Sequence, residues 1–327
     1  MTADATTGSR PPQPPSPAVA DMAPGRSLWA DARRRLFRDA SAMICLGVIV
    51  LYAWIALGGV AYEQIAKRHP AIPTYEQMED PGQKDQPPSL SNWKHVLGTD
   101  WYGKPILAKT LLSVKVSMSV GLIANIIAVP LGMILGAIAG YYGRRIDALI
   151  VWLFSTLASI PGLVLLIALK YAFNEFKPLG LDLSGIHGLY VALGAISWIG
   201  TCRLVRAETM KIRELDYVLA ARATGTNSFV ILLRHVIPNV LHLGIISFSL
   251  GLVSAIKAEV ILSYLGLGVP VGTPSWGSMI NAARSNLYMG KYWELTAAVV
   301  AMFFLVLALN IFGDRLRDAF DPKLRTA

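Results

Sequence analysis

The strongest constraint on this chain is a series of six long apolar runs, at residues 43–62, 116–141, 148–173, 188–205, 241–265 and 292–312. Each is long enough, or nearly so, to cross ~30 Å of hydrocarbon as a helix. Inside hydrocarbon every backbone N–H and C=O must find its partner within the protein, and a single isolated segment can do that only as an α-helix. The runs therefore predict an all-α integral membrane protein with six spans. Composition agrees: 54% of residues are hydrophobic and 16% charged, and the mean hydropathy is +0.48. A soluble domain of ordinary usage carries about 25% charged residues.

Basic residues set the orientation, because loops retained in the cytoplasm keep an excess of Lys and Arg. Lys and Arg together number 6 in residues 1–42, 2 in 141–147, 6 in 203–239 and 4 in 314–327. Six spans with both termini in the cytoplasm put all four clusters on one side. The formal charge of +9 is thereby used by the membrane topology, and nucleic-acid binding is not indicated. Residues 1–42 form a cytoplasmic N-terminus, Pro-rich at its start and expected to be unstructured. Its Arg cluster, Arg33, Arg34, Arg35 and Arg38, stands too late for a signal peptide, so the first span stays as an anchor. Residues 43–112 comprise that first helix and an extracytoplasmic segment of mixed charge. Residues 113–327 hold the other five helices, with interior prolines at Pro130 and Pro161, a cytoplasmic loop at 206–239 and a tail.

Catalytic chemistry finds no support. The histidines His69, His95, His187, His235 and His242 lack metal-ligand spacing, and Cys45 and Cys202 form no framework. The string from Gly98 to Lys104 has the glycine and lysine spacing of a phosphate loop. Pro105 stands where magnesium would need a hydroxyl, and no buried strand precedes the string. Ionisable groups inside spans are expensive, which singles out Lys257 and Glu259 in the fifth span. Two residues apart, they lie on different helix faces. Either could face a translocation path or pair with polar groups of a partner or with lipid headgroups. Asn125, Ser155 and Asn310 read as interhelical hydrogen bonders.

Residues 213–239 are mostly polar and helix-forming, between two apolar runs. Tyr217, Ala221 and Gly225 recur every fourth residue and would share one small-sided face, with Ala220 and Thr224 beside them. Gly225 suits a helix end and Thr226, Asn227 or Ser228 a following cap. The second helix is expected to stop at Pro238. This stretch resembles the cytoplasmic coupling loop of ABC importer permeases. Ala220, Ala221, Gly225 and Pro238 stand at the family's spacing, while Leu219, His235 and Ile237 depart from it. The form of the peptide-importer branch is matched by Tyr217 to Gly225, which includes Arg222, and by Arg234 to Asn239.

Gly98-Thr99-Asp100 followed by Gly103 resembles the string found before the second span in peptide-importer permeases. Two further strings resemble the second, C-type permease of the dipeptide, oligopeptide and nickel importers: the outer-loop string with Gly266, Gly268, Pro274, Trp276 and Gly277, and the tail from Gly313 to Arg325. The resemblance implies the type I ABC importer permease fold in a bacterial plasma (inner) membrane. It further implies a non-catalytic subunit that encloses a pathway with a second, homologous permease. Two ABC ATPases would dock on its coupling loop, and an extracytoplasmic substrate-binding protein would deliver substrate. Peptide is the substrate implied, with nickel or another small solute as an alternative. ATP and magnesium would be bound by the ATPases, and no cofactor by this chain. A secondary transporter driven by an ion gradient is the alternative from another class, and it would place its chemistry at Lys257 and Glu259.

Overall fold

The computed structural model describes residues 28–90, 92–175 and 183–320. Apolar sequence of this length becomes helix almost throughout, and among the described residues the only β pairing is an isolated bridge between Thr99 and Pro105. The spans are α2 (Ala40–Arg68), α3 (Ile106–Tyr142), α6 (Ile186–Ile212), α9 (Ile237–Tyr264) and α11 (Trp293–Phe320). A bent pair, α4 (Arg144–Ala158) and α5 (Gly162–Glu175), occupies the place of the sixth. Shorter helices are α1 (Leu28–Arg38) before the first span, α7 (Asp216–Ala223) and α8 (Ser228–Ile231) in the basic loop, and α10 (Trp276–Leu287) at the opposite end.

Several expectations need correcting. The N-terminal segment 1–42 is not unstructured throughout: residues 1–27 lie outside the described residues, but residues 28–38 are helix. Asp39 then caps α2, its carboxylate accepting the N–H of Ser41 at 2.9 Å and of Ala42 at 3.2 Å. A cap of this kind satisfies the free N–H groups of a helix start. The expected span 148–173 is not one helix, because α4 and α5 meet at 93°. Pro161 supplies no N–H and disfavours helix at the residue before it, so α4 ends at Ala158 and α5 starts afresh after the proline. Pro130 breaks nothing, and α3 runs through it. Outside, residues 266–290 contain α10.

α3 is the axis on which the others pack. Lipid tails are as apolar as Leu, so spans associate through close packing rather than a hydrophobic drive, and small residues at the contact allow it. Gly132, Gly136 and Gly140, one helical turn apart, lie against α6. A Cβ on them would come 2.6 Å from the Trp198 carbonyl, 2.6 Å from that of Cys202 and 2.7 Å from that of Arg206. The partner positions are also four apart, so the two backbones run in contact for about two turns. One core cluster, Ile106, Val114, Ile256, Trp276 and Leu305 among it, joins α3, α9, α10 and α11. A second joins α3 and α9 to α5 and α6. Asn125 and Asn310 do not bond across helices: each donates from its Nδ2 to its own helix, to the Gly121 and Val306 carbonyls. Ser155 is exposed.

Candidate functional site

The basic loop forms an elbow of two helices. α7 ends in a closed glycine cap: the Gly225 N–H donates to the Arg222 carbonyl at 3.1 Å and the Thr226 N–H to that of Ala221 at 3.1 Å. This pair of bonds requires the residue between cap and exit to be left-handed, and Gly225 has φ +79°. Asn227 then starts α8, its Oδ1 accepting the Phe229 N–H at 2.8 Å. The expected stop at Pro238 does not occur. Residues Leu232–Val236 form a π-helical turn in which the Ile237 N–H donates to the Leu232 carbonyl five residues back. That widened turn carries the chain past the missing N–H and ring of Pro238, which sits in the first turn of α9.

The elbow has two faces. Val218, Ile231, Leu232 and Val236 are buried against Ala137, Tyr141, Val205 and Ile212 at the ends of α3 and α6. Arg213 donates from Nη1 to the Gly140 carbonyl at 2.9 Å, and the Arg222 guanidinium lies 5.5 Å from the Tyr141 ring centre. Arg206 grips Asp147 through two bonds, one of 2.7 Å from Nη2 to Oδ2. The other face leaves Tyr217, Ala220, Arg222, Gly225, Arg234 and Pro238 exposed. Ala221 is only partly exposed and packs into the buried side. Tyr217 is linked to the far end of the motif: Asn239 Nδ2 donates to its phenol oxygen at 3.2 Å, and the His235 ring lies 6.2 Å away. Partial burial pushes the Tyr217 phenol pKa up, so it stays protonated.

Lys257 and Glu259 separate as their spacing predicts. Glu259 is fully enclosed, accepting from Ser117 Oγ at 3.2 Å and from Ser263 Oγ at 2.7 Å. Ser263 Oγ in turn accepts the Val269 N–H at 3.2 Å. Glu259 thus braces the outer-loop string rather than reaching an opening of this chain. Gly277 packs on that same turn, where a Cβ would lie 2.6 Å from the Val260 carbonyl. Trp276 is completely buried and Pro274 and Gly268 are buried, while Gly266 is exposed. Lys170 of α5 donates to the Leu267 and Gly268 carbonyls, latching the bent pair to the same string. Lys257 is exposed, with no ion-pair partner among the described residues, on an α9 stripe with Leu250, Ser254 and Ile261.

Residues 132–326 match the family described as binding-protein-dependent transport system inner membrane component. Residues 27–88 match the N-terminal transmembrane domain of oligopeptide transport permease C. This chain is an ABC importer permease of that family. The oligopeptide transport system permease of Haemophilus influenzae is 34% identical over 307 residues, covering 92% of this chain and 90% of the relative. The dipeptide transport system permease of Bacillus subtilis is 31% identical over 302 residues, covering 92% and 88%. The glutathione transport system permease of Pectobacterium atrosepticum is 31% identical over 301 residues, covering 92% and 93%. An inward-facing structure of the methionine transporter MetNI aligns with a TM-score of 0.47 at 17% identity, covering 64% of this chain and 93% of that one.

The permease is a multi-pass protein of the bacterial inner membrane. Two of its organising features are not motifs. The glycine stripe of α3 was readable as a four-residue repeat of Gly132, Gly136 and Gly140. The other is a buried charge cluster beneath the string Gly98 to Gly103. Lys109 Nζ lies 2.8 Å from Asp100 Oδ2 and 2.7 Å from Glu294 Oε1. Asp100 Oδ1 also accepts the N–H groups of Tyr102 and Lys104, both at 2.9 Å. Tyr75 packs beside this cluster, and burial pushes its phenol up to about 12. No local spacing signals it, because Lys109 and Glu294 are 185 residues apart.

Proposed function

We propose that this permease is the second, C-type membrane subunit of an ATP-driven importer of di- or oligopeptides. It encloses the pathway with a homologous permease, and two ABC ATPases, which bind the ATP and magnesium, dock on residues 206–239. An extracytoplasmic binding protein hands peptide to the outer loops. The chain itself catalyses nothing and holds no cofactor. Peptide as the substrate is supported by the oligopeptide and dipeptide permeases among its relatives. The observation that carries the coupling role is the elbow: a small, capped helix fixed to the ends of α3 and α6 on one side and left open on the other. Lys257 is proposed to face the pathway. An unpaired ammonium within a span is expensive against lipid, so such groups turn to water or to a protein partner.

The test is purification of the complex with wild-type or Ala220→Trp permease, followed by peptide uptake and ATP hydrolysis in vesicles. Ala220 is the position to enlarge because it is exposed, whereas Ala221 packs inward and Gly225 needs its left-handed φ. The expected result is a wild-type complex containing a second permease and ATPases, with hydrolysis stimulated by peptide-loaded binding protein. The variant should insert normally and transport nothing. Undiminished uptake by Ala220→Trp overturns the docking role, and a chain that transports alone on an ion gradient overturns the whole reading.

A further inference from the structure

A groove runs along the outer half of the first span, between α2 and α3. Its membrane-depth part, about 370 Å³, is walled by Ile55, Gly58, Gly59, Ala108, Leu111 and Leu112 and is almost wholly apolar. It opens into a second cavity of about 470 Å³ that shares Tyr62, Met78, Ala108 and Leu111 with it. This mouth keeps apolar walls but carries both signs of charge, with Glu79, Asp80, Lys94 and His95 among its lining residues.

The depth of the two parts follows from the sequence. α2 ends at Arg68, so Ile55 to Tyr62 lies toward its outer end. Trp93, Trp101 and Tyr102 are exposed around the adjoining outer segment, and amphipathic aromatics collect at the headgroup level of a membrane. The apolar part therefore sits among acyl chains and the charged mouth among headgroups. Among the described residues nothing packs on Gly58, where an added Cβ would meet no heavy atom within 4 Å.

We propose that this groove binds one phospholipid of the outer leaflet whose headgroup carries both an ammonium and a phosphate, as ethanolamine lipids do. An acyl chain lies against Gly58, Gly59 and Leu112. The phosphate is received by Lys94 and His95 and the ammonium by Asp80, with Glu79, whose Oε1 already pairs with Lys104 at 3.2 Å, beside it. A tail alone would need only the apolar part, and a lipid with a purely anionic head would meet the two carboxylates. The two-signed mouth above a dry groove selects an amphiphile with a zwitterionic head. Such a lipid fills the space between α2 and α3 next to the Lys115–Glu63 pair that joins the same two helices.

The assay uses the whole importer complex in vesicles doped with phosphatidylethanolamine bearing a diazirine on its acyl chain, and in parallel with phosphatidylglycerol carrying the same probe. After illumination, adducts are mapped by mass spectrometry. The expected result is ethanolamine-lipid labelling concentrated at residues 55–62 and 108–112, several-fold above that at Ile44, Leu51 and Trp54, which face outward elsewhere on α2. Gly58→Leu fills the groove without a clash and should abolish the enrichment while the complex still elutes intact. In Lys94→Gln, which leaves the tail site untouched, the preference for ethanolamine over glycerol lipid should fall. Even labelling along α2, equal labelling by the two lipids, or displacement of the lipid by a transported peptide would each overturn the proposal.

Discussion

Replacing Lys109 with Met tests the buried charge cluster that holds the outer segment to the bundle. The Met side chain keeps most of the apolar volume and removes only the ammonium. Lys109, Asp100 and Glu294 expose 10%, 2% and 3% of their side chains, so removing the ammonium leaves two largely buried carboxylates. Breaking a buried pair by removing one partner costs about 3–5 kcal/mol, because the remaining charge stays buried without compensation. The two carboxylates are not equal here. Asp100 retains two backbone N–H donors, from Tyr102 and Lys104, whereas Lys109 is the partner that Glu294 has from another helix. Most of the penalty therefore falls on Glu294, and Lys109→Met with Glu294→Gln should be more stable than Lys109→Met alone. Stability is read by urea unfolding of the purified complex in detergent, following tryptophan fluorescence. Trp293 is a natural reporter, donating from Nε1 to the Thr99 carbonyl at 3.1 Å beside the cluster. The reasoning is refuted if Lys109→Met unfolds at the wild-type midpoint. It is equally refuted if the double variant is no better than the single one, which would mean that Glu294 is not the uncompensated charge.

Gly136→Leu should destroy the α3–α6 contact and sharply lower the yield of intact complex on size exclusion, since its first side-chain atom would lie 2.6 Å from the Cys202 carbonyl; Gly200→Leu, where no neighbour lies within 4 Å, should leave the yield unchanged. Lys257→Met should preserve assembly and change the peptide concentration dependence of uptake, and identical uptake curves would remove Lys257 from the pathway. Asp39 is held below the ordinary carboxylate value of 3.8, first by its bond from Ser41. A folded-state value below the unfolded one stabilises the fold above the ordinary value and loses that contribution as pH falls through the lower one. Melting temperature measured down through pH 4 should fall less steeply for Asp39→Ala than for wild type; parallel curves would show that the cap does not titrate with folding.

The spans and the elbow were legible because their signals are local. Hydropathy marked the helices, and the spacing of Gly225 and Asn227 marked a capped turn in which each residue's role depends on neighbours within five positions. Pro161 and Pro238 show where local reading stops. Both are prolines in apolar helical sequence, yet one ends a helix and the other is passed by a π turn. The difference lies in what the surroundings permit: residues 232–236 contribute Leu232 and Val236 to a packed core, which keeps the chain helical through a widened turn. Around Pro161 the residues from Ser159 to Val164 are exposed, so no packed core holds the helix together across the break among the described residues. The Lys109 cluster and the two-signed groove were illegible because their members come from segments far apart in sequence, and only the pairing of helices brings them together.

On the proposed coupling role, the elbow must deliver movement without absorbing it, and its attachments meet that need in a particular direction. α8 continues through the π turn into α9 with no flexible linker. Lys257 is twenty residues beyond Ile237, about 30 Å along the helix at 1.5 Å per residue. α7 by contrast touches the bundle through Val218, through Arg222 over Tyr141, and through the Tyr217 contacts to His235 and Asn239. Those contacts tie α7 to both ends of the π turn's neighbourhood, so a push on the exposed face of α7 is passed to α9 rather than spent in bending the loop. The π turn is the one non-α stretch along that route, and irregular turns of this kind are where helices bend. Movement of the elbow would therefore tilt α9 about residues 232–236 and swing its far end, where Lys257 is exposed and Glu259 holds the outer-loop string through Ser263. The same helix would in that way connect the ATPase side to the string at the other face of the membrane, with Glu259 as the buried joint between them.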